Sequence, residues 1–236
     1  MLNQAEQDRL WSHLQTHGRS AFDLSYPRLR FLAEKCRAGT RVLNIGAGTG
    51  YLEGLLIGGG VEAFSLDPSE ESIEWLRSEL KMGSHAQCGY SQSIPFDDGS
   101  FDKVIMTEVL EHLPAEVMHA TLDEVRRVLR PNGEFMGTVP YQEDLAVNEV
   151  MCPHCQFQFH RWGHAQRFDV TSLGEALKAH LFRVERLYPR AFPDFRRSGA
   201  GPFLKAACRY LLGRLGEPLV GPNLYFVARR PLADRR

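Results

Sequence analysis

The chain has 236 residues, enough for one α/β domain with additions and a sizeable core. Its 28 Lys and Arg residues are balanced by 29 Asp and Glu residues, and the net charge of −1 argues against a general nucleic-acid-binding protein. No apolar run approaches the ~20 residues that a membrane span needs, and no signal peptide is visible at the N-terminus. We therefore expect a cytoplasmic protein whose five cysteines are reduced.

Strands and helices alternate along the chain after a helical N-terminal segment. Helices predicted over 3–16 and 26–37 place a cap at 1–40 before a domain at 41–236. The predicted strands cover 41–46, 62–67, 85–89, 102–107, 133–139, 181–188 and 223–229. Helices are predicted between them over 50–57, 69–80, 115–129 and 171–179, with starts marked by Ser69 and Pro114. This alternation predicts a mostly parallel seven-stranded sheet with helices on both faces.

A glycine-rich turn follows the first predicted strand. Residues 41–51 read Arg-Val-Leu-Asn-Ile-Gly-Ala-Gly-Thr-Gly-Tyr, a G-x-G-x-G turn of the kind that lets a ligand approach the backbone. The second predicted strand ends in Asp67, about 20 residues after the first glycine, where an acid can accept hydrogen bonds from ribose hydroxyls. Tyr51 stands where the dinucleotide fingerprint has its last glycine, and the chain has no P-loop lysine. The pattern indicates a ribose-containing ligand without phosphates.

Four segments in a fixed order resemble the class I S-adenosylmethionine-dependent methyltransferases, over roughly residues 26–188. The segments read VLNIGAGTG, SLDPS, IPFDDGSFDKVIMTEVLEHL and EVRRVLRPNGEF. The resemblance implies a Rossmann-like, doubly wound fold that binds S-adenosylmethionine at the carboxyl ends of its strands. It implies cofactor contacts from Asn44, Gly46, Ala47, Gly48, Gly50, Tyr51, Asp67, Pro68, Ser91, Gln92 and Thr107.

Two positions depart from the pattern of that family. Asn44 stands where the family usually has an acid near the methionine part of the cofactor. Its amide oxygen can still accept from an ammonium, but without the charge of a carboxylate. Near the adenine, Gly89-Tyr90-Ser91-Gln92 replaces the family's Gly-Asp-Ala, so Tyr90 is a candidate for stacking and Ser91 or Gln92 for the polar contact.

The segment after the fourth predicted strand, Glu108-Val109-Leu110-Glu111-His112, contains the candidate catalytic residues Glu111 and His112. An imidazole has an ordinary pKa of about 6.5, which suits proton removal from an acceptor hydroxyl. Alternatively, Glu108, Glu111 and His112 hold a divalent metal, since the same E-x-x-E-H pattern is associated with metal in the quinone-biosynthesis O-methyltransferases. A third interpretation is structural, with Glu111 and His112 fixing the start of the next helix and lining the crevice.

A second cluster of metal-ligand residue types lies in a predicted insertion at 150–168. Cys152, Cys155, His160 and His164 follow the spacing C-x2-C-x4-H-x3-H. Thiolates and imidazoles favour zinc over calcium or magnesium, and the spacing suits a compact tetrahedral site that would staple a long connection. Two alternatives remain open, a metal-free wall of the acceptor pocket that includes His164, and a redox pair of cysteines.

A basic insertion at 189–222 separates the last two predicted strands. Apolar residues repeat at helical spacing near 202–215 with basic residues between them, which predicts an amphipathic helix. This helix either packs on the domain or presents 196–215 to an anionic acceptor or an anionic membrane face. The apolar residues are Phe203, Leu204, Ala207, Tyr210, Leu211 and Leu215, and the basic residues are Arg190, Arg196, Arg197, Lys205, Arg209 and Arg214.

Together these patterns predict a methyltransferase that uses S-adenosylmethionine and acts on a small-molecule acceptor, most simply at a hydroxyl. The small-molecule acceptor is the expected partner, and it is anionic if it binds to the basic insertion. Zn²⁺ is a second expected ligand. Two alternatives are a protein methyltransferase and a non-catalytic, zinc-stabilised binding module on the same fold. Titration with the cofactor separates an enzyme from the binding module.

Overall fold

The computed structural model describes residues 6–7, 9–11, 25–195, 199–217 and 220–232. Seven strands form one sheet, and two short strands form a separate hairpin. The sheet strands are β1 Arg41–Ile45, β2 Glu62–Asp67, β3 Ala86–Cys88, β4 Phe101–Thr107, β5 Leu129–Pro140, β8 Arg183–Arg190 and β9 Asn223–Arg229, and the hairpin strands are β6 Glu149–Met151 and β7 Gln158–His160. The helices are α1 Tyr26–Ala33, α2 Tyr51–Gly58, α3 Glu70–Glu79, α4 Ala115–Val128, α5 Val170–Ala179 and α6 Ala200–Arg214.

The sheet has the strand order β3-β2-β1-β4-β5-β9-β8. The strand order therefore switches between β1 and β4, because β2 and β3 lie on one side of β1 and the later strands lie on the other. Strands β1 to β5 are parallel to one another, and β9 is antiparallel to both β5 and β8. Successive side chains of a strand point to opposite faces, and in β1 Val42 and Leu43 enter two different apolar clusters. The predicted Rossmann-like sheet covered on both faces is therefore confirmed.

Local sequence signals explain where several elements begin. Ser69 caps α3 by accepting a hydrogen bond from the backbone N–H of Ser72 at 3.3 Å, and α4 begins immediately after Pro114. The predicted strand at 133–139 instead begins at Leu129, which pairs with Phe101 before a register shift. Asn132 adopts a positive φ of 68°, so the predicted turn is present as an irregularity within the longer β5.

Helix α6 forms as predicted, but its apolar stripe does not pack on the domain. The buried residues of α6 are Ala206 and Gly213, because the small side of the helix lies against Ala191 after β8. Leu204 and Leu211 are 71% and 62% exposed. The helix therefore packs on the domain through its small residues and not through the leucines of the predicted stripe. Arg196 and Arg197 lie outside the described residues. Within the described ranges, no helix is both long and apolar enough to cross a bilayer.

The predicted helix at 3–16 lies mostly outside the described residues, although 6–7 and 9–11 are helical. The hairpin of β6 and β7 was not predicted, because three-residue strands give too short a pattern to detect.

Candidate functional site

A cavity of about 500 Å³ opens at the carboxyl ends of β1, β2 and β4. Ligands of doubly wound sheets bind at this edge, next to the point where the strand order reverses. All residues predicted to contact the cofactor line the cavity except Gly50, namely Asn44, Gly46, Ala47, Gly48, Tyr51, Asp67, Pro68, Ser91, Gln92 and Thr107. His112 lines the same cavity, and Glu111 does not. The sequence prediction of a shared crevice therefore agrees with the observed geometry.

The glycine-rich turn has a backbone that only glycine adopts readily. Gly46 has a φ of 92°, and a Cβ at this position would lie 2.7 Å from Val109 Cγ2. Gly50, at the start of α2, has a φ of 74°, and a Cβ there would overlap the ring of Trp75. Gly50 thus lets the helix approach α3 closely, which explains its place in the motif although it does not line the cavity.

Asp67 is held rigidly at the end of β2. Its carboxylate is 3% exposed and accepts backbone hydrogen bonds from Ala47 and Ser69, each at 2.8 Å. These two bonds orient the carboxylate, a group that has about four acceptor positions. The carboxylate therefore joins the glycine turn to the second strand at the point where the cofactor's ribose is expected.

Asn44 and Glu53 form a buried polar pair behind the cavity. Asn44 Nδ2 donates to Glu53 Oε1 at 2.8 Å, and Ser65 Oγ donates to the same oxygen at 2.8 Å. Burial raises the pKa of Glu53 to about 7, partly opposed by these two hydrogen bonds. Asn44 Oδ1 is buried and lacks a hydrogen-bond partner among the described residues, although the Asn44 residue lines the cavity. Sequence analysis missed Glu53, whose signal is an acid inside the apolar run of α2.

The adenine side of the cavity is partly committed to internal hydrogen bonds. The hydroxyl of Ser91 lies 2.8 Å from Thr121 Oγ1, in a buried pair. Tyr90 is 40% exposed at the cavity wall, and Gln92 lines the same wall. Stacking by Tyr90 and a polar contact from Gln92 therefore remain compatible with the structure, whereas the hydroxyl of Ser91 already has a partner.

The N-terminal segment contributes a wall that sequence analysis missed. Gln7, Trp11, Ser25, Arg28 and Leu29 all line the cavity. The side chain of Gln7 donates to the backbone oxygen of His112 at 3.0 Å, which ties this wall to the acceptor end. Nothing in the sequence of this segment has a recognisable ligand-binding pattern, so only the tertiary structure shows its role.

Glu108 belongs to a polar network at the cavity wall. It adopts a positive φ of 55° and accepts hydrogen bonds from Thr138 at 2.8 Å and Asn223 at 2.9 Å. Arg28 also approaches its carboxylate, at 3.5 Å. The groups of close metal-ligand side chains within the described ranges do not include Glu108, so the structure does not assemble the metal site predicted from Glu108, Glu111 and His112.

Glu111 and His112 lie in a buried turn after β4, with 1% and 7% of their surfaces exposed. Burial raises the pKa of Glu111 well above its usual value, and the nearby charge of Glu108 adds to the effect. Burial, together with His164, lowers the pKa of His112 well below its usual value. Burial therefore disfavours the charged form of each side chain, and of the two only His112 lines the cavity.

His164 and His160 turn back from the hairpin toward Glu143. His164 Nδ1 forms a short hydrogen bond with Glu143 Oε2, and the ring of His164 lies 4.6 Å from that of His112. His160 Nε2 lies 3.4 Å from Glu143 Oε1, and its ring stacks on His164 with centroids 4.5 Å apart. A carboxylate and three imidazoles thus form one cluster that reaches the cavity through His112.

The predicted zinc site of Cys152, Cys155, His160 and His164 is not assembled. The cysteines lie in the loop between β6 and β7, where the backbone N–H of Cys152 donates to Phe157 O at 2.9 Å. In the described part of the chain, no group of three close metal-ligand side chains contains a cysteine. The thiols lie in the loop of the hairpin, whereas His160 ends β7, His164 follows it, and both imidazoles lie against Glu143.

A family model described as "Methyltransferase domain" matches residues 15–187, which include every part of the cavity wall from Ser25 onward. The chain belongs to this methyltransferase family. An uncharacterised methyltransferase of Mycobacterium bovis is 38% identical over 99 residues, which are 42% of this chain and 39% of that protein. The match thus spans about two fifths of the length of this curated relative.

Two solved structures share the methyltransferase fold. The protein bound to the Trm112 methyltransferase activator in a complex from Haloferax volcanii has a TM-score of 0.70 and 22% identity, over 94% of this chain and 97% of that one. The 1,6-didemethyltoxoflavin-N1-methyltransferase of Burkholderia thailandensis, with its acceptor and S-adenosylhomocysteine bound, has a TM-score of 0.65 and 18% identity, over 98% and 92% of the two chains. At these identities the likeness concerns the fold alone.

Proposed function

We propose that this protein transfers a methyl group from S-adenosylmethionine to a hydroxyl of a small-molecule acceptor. The observation that carries the proposal is the single cavity in which the glycine turn, Asp67 and His112 meet. Its volume of about 500 Å³ falls within the range of ~300–1,000 Å³ that is usual for small-ligand sites.

The cofactor half of the cavity supplies groups that match S-adenosylmethionine. In this proposal Asp67 would accept hydrogen bonds from the ribose hydroxyls, and Asn44 would bind the ammonium, with the buried Glu53 behind it. Arg28 lines the cavity wall, and its guanidinium is suited to bind the carboxylate of the methionine moiety. These side chains would match the ammonium and the carboxylate of the methionine moiety, which a site for a neutral nucleoside would not require.

The acceptor half lies beside His112, beneath the wall formed by Gln7 and Trp11. The acceptor oxygen attacks the sulfonium methyl in line, a C–O bond forms as the C–S bond breaks, and sulfur keeps the electron pair. The methyl carbon is activated by the positive sulfur, so the protein aligns the reactants, excludes water and removes the hydroxyl proton at the His112 end. A small-molecule acceptor is supported by the buried position of His112 and by the toxoflavin-type acceptor of the Burkholderia neighbour.

The test is methyl transfer from radiolabelled S-adenosylmethionine to fractions of a small-molecule extract, with protein and nucleic-acid fractions assayed in parallel. We expect label in a small molecule, in a bond that resists mild base as an ether does. Label only in protein would favour the protein methyltransferase. Cofactor binding without any transfer would favour a binding module.

A further inference from the structure

We propose that Glu111, His112 and His164 bind a divalent transition-metal ion of the zinc type at the acceptor end of the cavity. One carboxylate oxygen and one ring nitrogen from each histidine lie within 4.8 Å of one another. Zinc ligands at ~2.0–2.2 Å from the ion are about 3.4 Å apart in a tetrahedron, so small side-chain adjustments bring this set to the ion. Two histidines and one glutamate are a donor set that zinc uses with an open fourth position.

Two of the three residues in this cluster carry buried polar atoms without partners in the described part of the chain. Both carboxylate oxygens of Glu111 and Nδ1 of His112 are buried, and none of them has a hydrogen-bond partner among the described residues. Burying polar groups without partners is costly, and an ion is one of the few partners that would satisfy a carboxylate at this depth. An ion bound by Glu111 removes this cost for the buried carboxylate.

Glu143 prepares His164 for metal binding. Because His164 Nδ1 faces the Glu143 carboxylate, that nitrogen carries the ring proton and Nε2 keeps its lone pair. Metal-ligating histidines usually donate their other ring N–H to a carboxylate in this way. The hydrogen bond therefore selects the tautomer that a metal ligand requires.

His160 has a different part in the cluster. Its Nδ1 accepts from the backbone N–H of His164 at 3.1 Å, so its proton lies on Nε2, which faces Glu143 at 3.4 Å. A nitrogen that carries a proton does not bind a metal. His160 therefore supports Glu143, and His164 is the imidazole of this segment that is free to bind the ion.

The backbone holds the two ligand segments together. The carbonyl oxygen of Glu111 accepts from the N–H groups of Ala165 at 2.7 Å and Gln166 at 3.0 Å. The side chain of Gln166 also donates to Leu113 O at 2.6 Å. These bonds fix the turn that carries Glu111 against the segment that carries His164, so the ligands do not depend on the mobility of a loop.

The inference deepens the proposed function and rests on it only for the role of the ion in the reaction. His112 lines the cavity, so the open position of the ion would face the acceptor. A cation at that position would lower the pKa of an acceptor hydroxyl and allow its proton to leave for solvent near neutral pH. Metal binding itself requires no methyl transfer.

The experiment measures metal binding by protein that has been stripped with a chelator and dialysed. Zn²⁺ is titrated by calorimetry and Co²⁺ by visible absorption, and we expect about one equivalent of each with the intense bands of a tetrahedral Co²⁺ site. Glu111→Gln, which preserves shape, should abolish binding, as should His164→Gln. Glu143→Gln should weaken it by ~10- to 100-fold. The melting temperature of each variant without metal shows whether it is folded.

The double variant Cys152→Ser/Cys155→Ser is the matched control and should bind the metal normally. Loss of binding in this variant with retention in Glu111→Gln would assign the ion to the cysteines instead. Absence of binding by the parent protein would overturn the proposal. Binding of S-adenosylhomocysteine to the metal-free protein is measured separately, so a failed metal site and a failed cofactor site give different results.

Discussion

Asn44 in β1 donates a hydrogen bond to Glu53 in α2 at 2.8 Å, directly behind the cofactor cavity. The pair places the Glu53 carboxylate behind Asn44, which occupies the position where the family usually has its acid. Asn44 lines the cavity although its Oδ1 is buried, and an ionisable group lies behind it. A cationic cofactor would favour the ionised form of Glu53, which links ligand binding to the protonation of a buried group.

We expect the stability of the ligand-free protein to fall between pH 4.5 and about 7 because of Glu53. Its pKa is raised from 4.5 to about 7 by burial, so the folded state keeps the proton in a range where the unfolded state has lost it. The contribution is therefore fully present below pH 4.5 and lost as the pH rises through 7. Glu53→Gln should remove this dependence, worth a few kcal/mol at most. Urea unfolding at a series of pH values measures it, with the exposed Glu79→Gln as control. Parallel pH profiles for the parent and Glu53→Gln would contradict the assignment.

Asp67→Asn should weaken cofactor binding without unfolding the protein. The substitution keeps the size of the side chain but removes the charged acceptor for two ribose hydroxyls, at ~1.5–3 kcal/mol for each bond. Calorimetry with S-adenosylhomocysteine should therefore show at least a tenfold rise in Kd. Asp97→Asn, at an exposed position of the 89–100 loop, is the control and should bind normally. Equal affinity for the two variants would remove Asp67 from the cofactor site.

His112→Ala should reduce turnover by roughly 10²- to 10⁴-fold, whether the imidazole takes the proton itself or holds an ion that assists its loss. The Kd of S-adenosylhomocysteine should change little, because the glycine turn and Asp67 hold the cofactor. His154→Ala, exposed at the tip of the hairpin, serves as the control. A normal rate in the His112 variant would leave this residue with a structural role only.

Arg28→Met should weaken the binding of ligands that carry the methionine carboxylate. We expect a roughly tenfold or greater rise in the Kd of S-adenosylhomocysteine, since a charge-assisted hydrogen bond contributes ~1.5–3 kcal/mol. Methylthioadenosine, which lacks the amino-acid part, should bind equally well before and after the change. The exposed Arg37→Met controls for net charge. A similar loss for both ligands would show that Arg28 acts by supporting Glu108 rather than by binding the carboxylate.

Helix α6 should attach the protein to anionic vesicles in a salt-dependent way. Leu204 and Leu211 are exposed beside Lys205 and Arg209, and such a surface gains about 1 kcal/mol per basic residue near an anionic membrane. Salt screens this attraction within ~10 Å at 0.1 M. Sedimentation with anionic and neutral vesicles at two salt concentrations tests the expectation.

The double variant Leu204→Asp/Leu211→Asp should remain in the supernatant of that experiment. Leu181→Asp, at another exposed leucine in the turn before β8, is the control and should behave as the parent does. Equal and negligible pelleting with both vesicle types would exclude a membrane role for α6.

The sheet and the cofactor half of the site could be predicted because their signals are local. The glycine turn, the strand-terminal Asp67 and the helix starts at Ser69 and Pro114 each depend on a few neighbouring residues. The acceptor half of the site was less predictable from the sequence. His164 meets Glu143 and His112 only after the hairpin has formed, and ligand spacing along the chain had grouped it with the cysteines.

The leucines of the α6 stripe remain exposed, contrary to the packing interpretation, for a related physical reason. Helical periodicity identifies which residues share a face, but not whether that face meets the domain. Here Gly213 allows a closer approach to Ala191 than a leucine face would, so the smaller side of the helix packs and the larger apolar side faces outward. The periodicity of apolar residues in the sequence does not show which side of the helix packs on the domain.

The two halves of the cavity come from different parts of the chain. The cofactor wall is built from residues 44–107, whereas the acceptor end combines the segments around Gln7, His112 and His164. Under the proposed function, substitutions in the N-terminal wall or the hairpin should therefore alter which acceptor fits while the methyl donor stays bound in its original place. Relatives with the same donor half and different outer segments could be recombined with this chain to exchange acceptor preference without rebuilding the sheet.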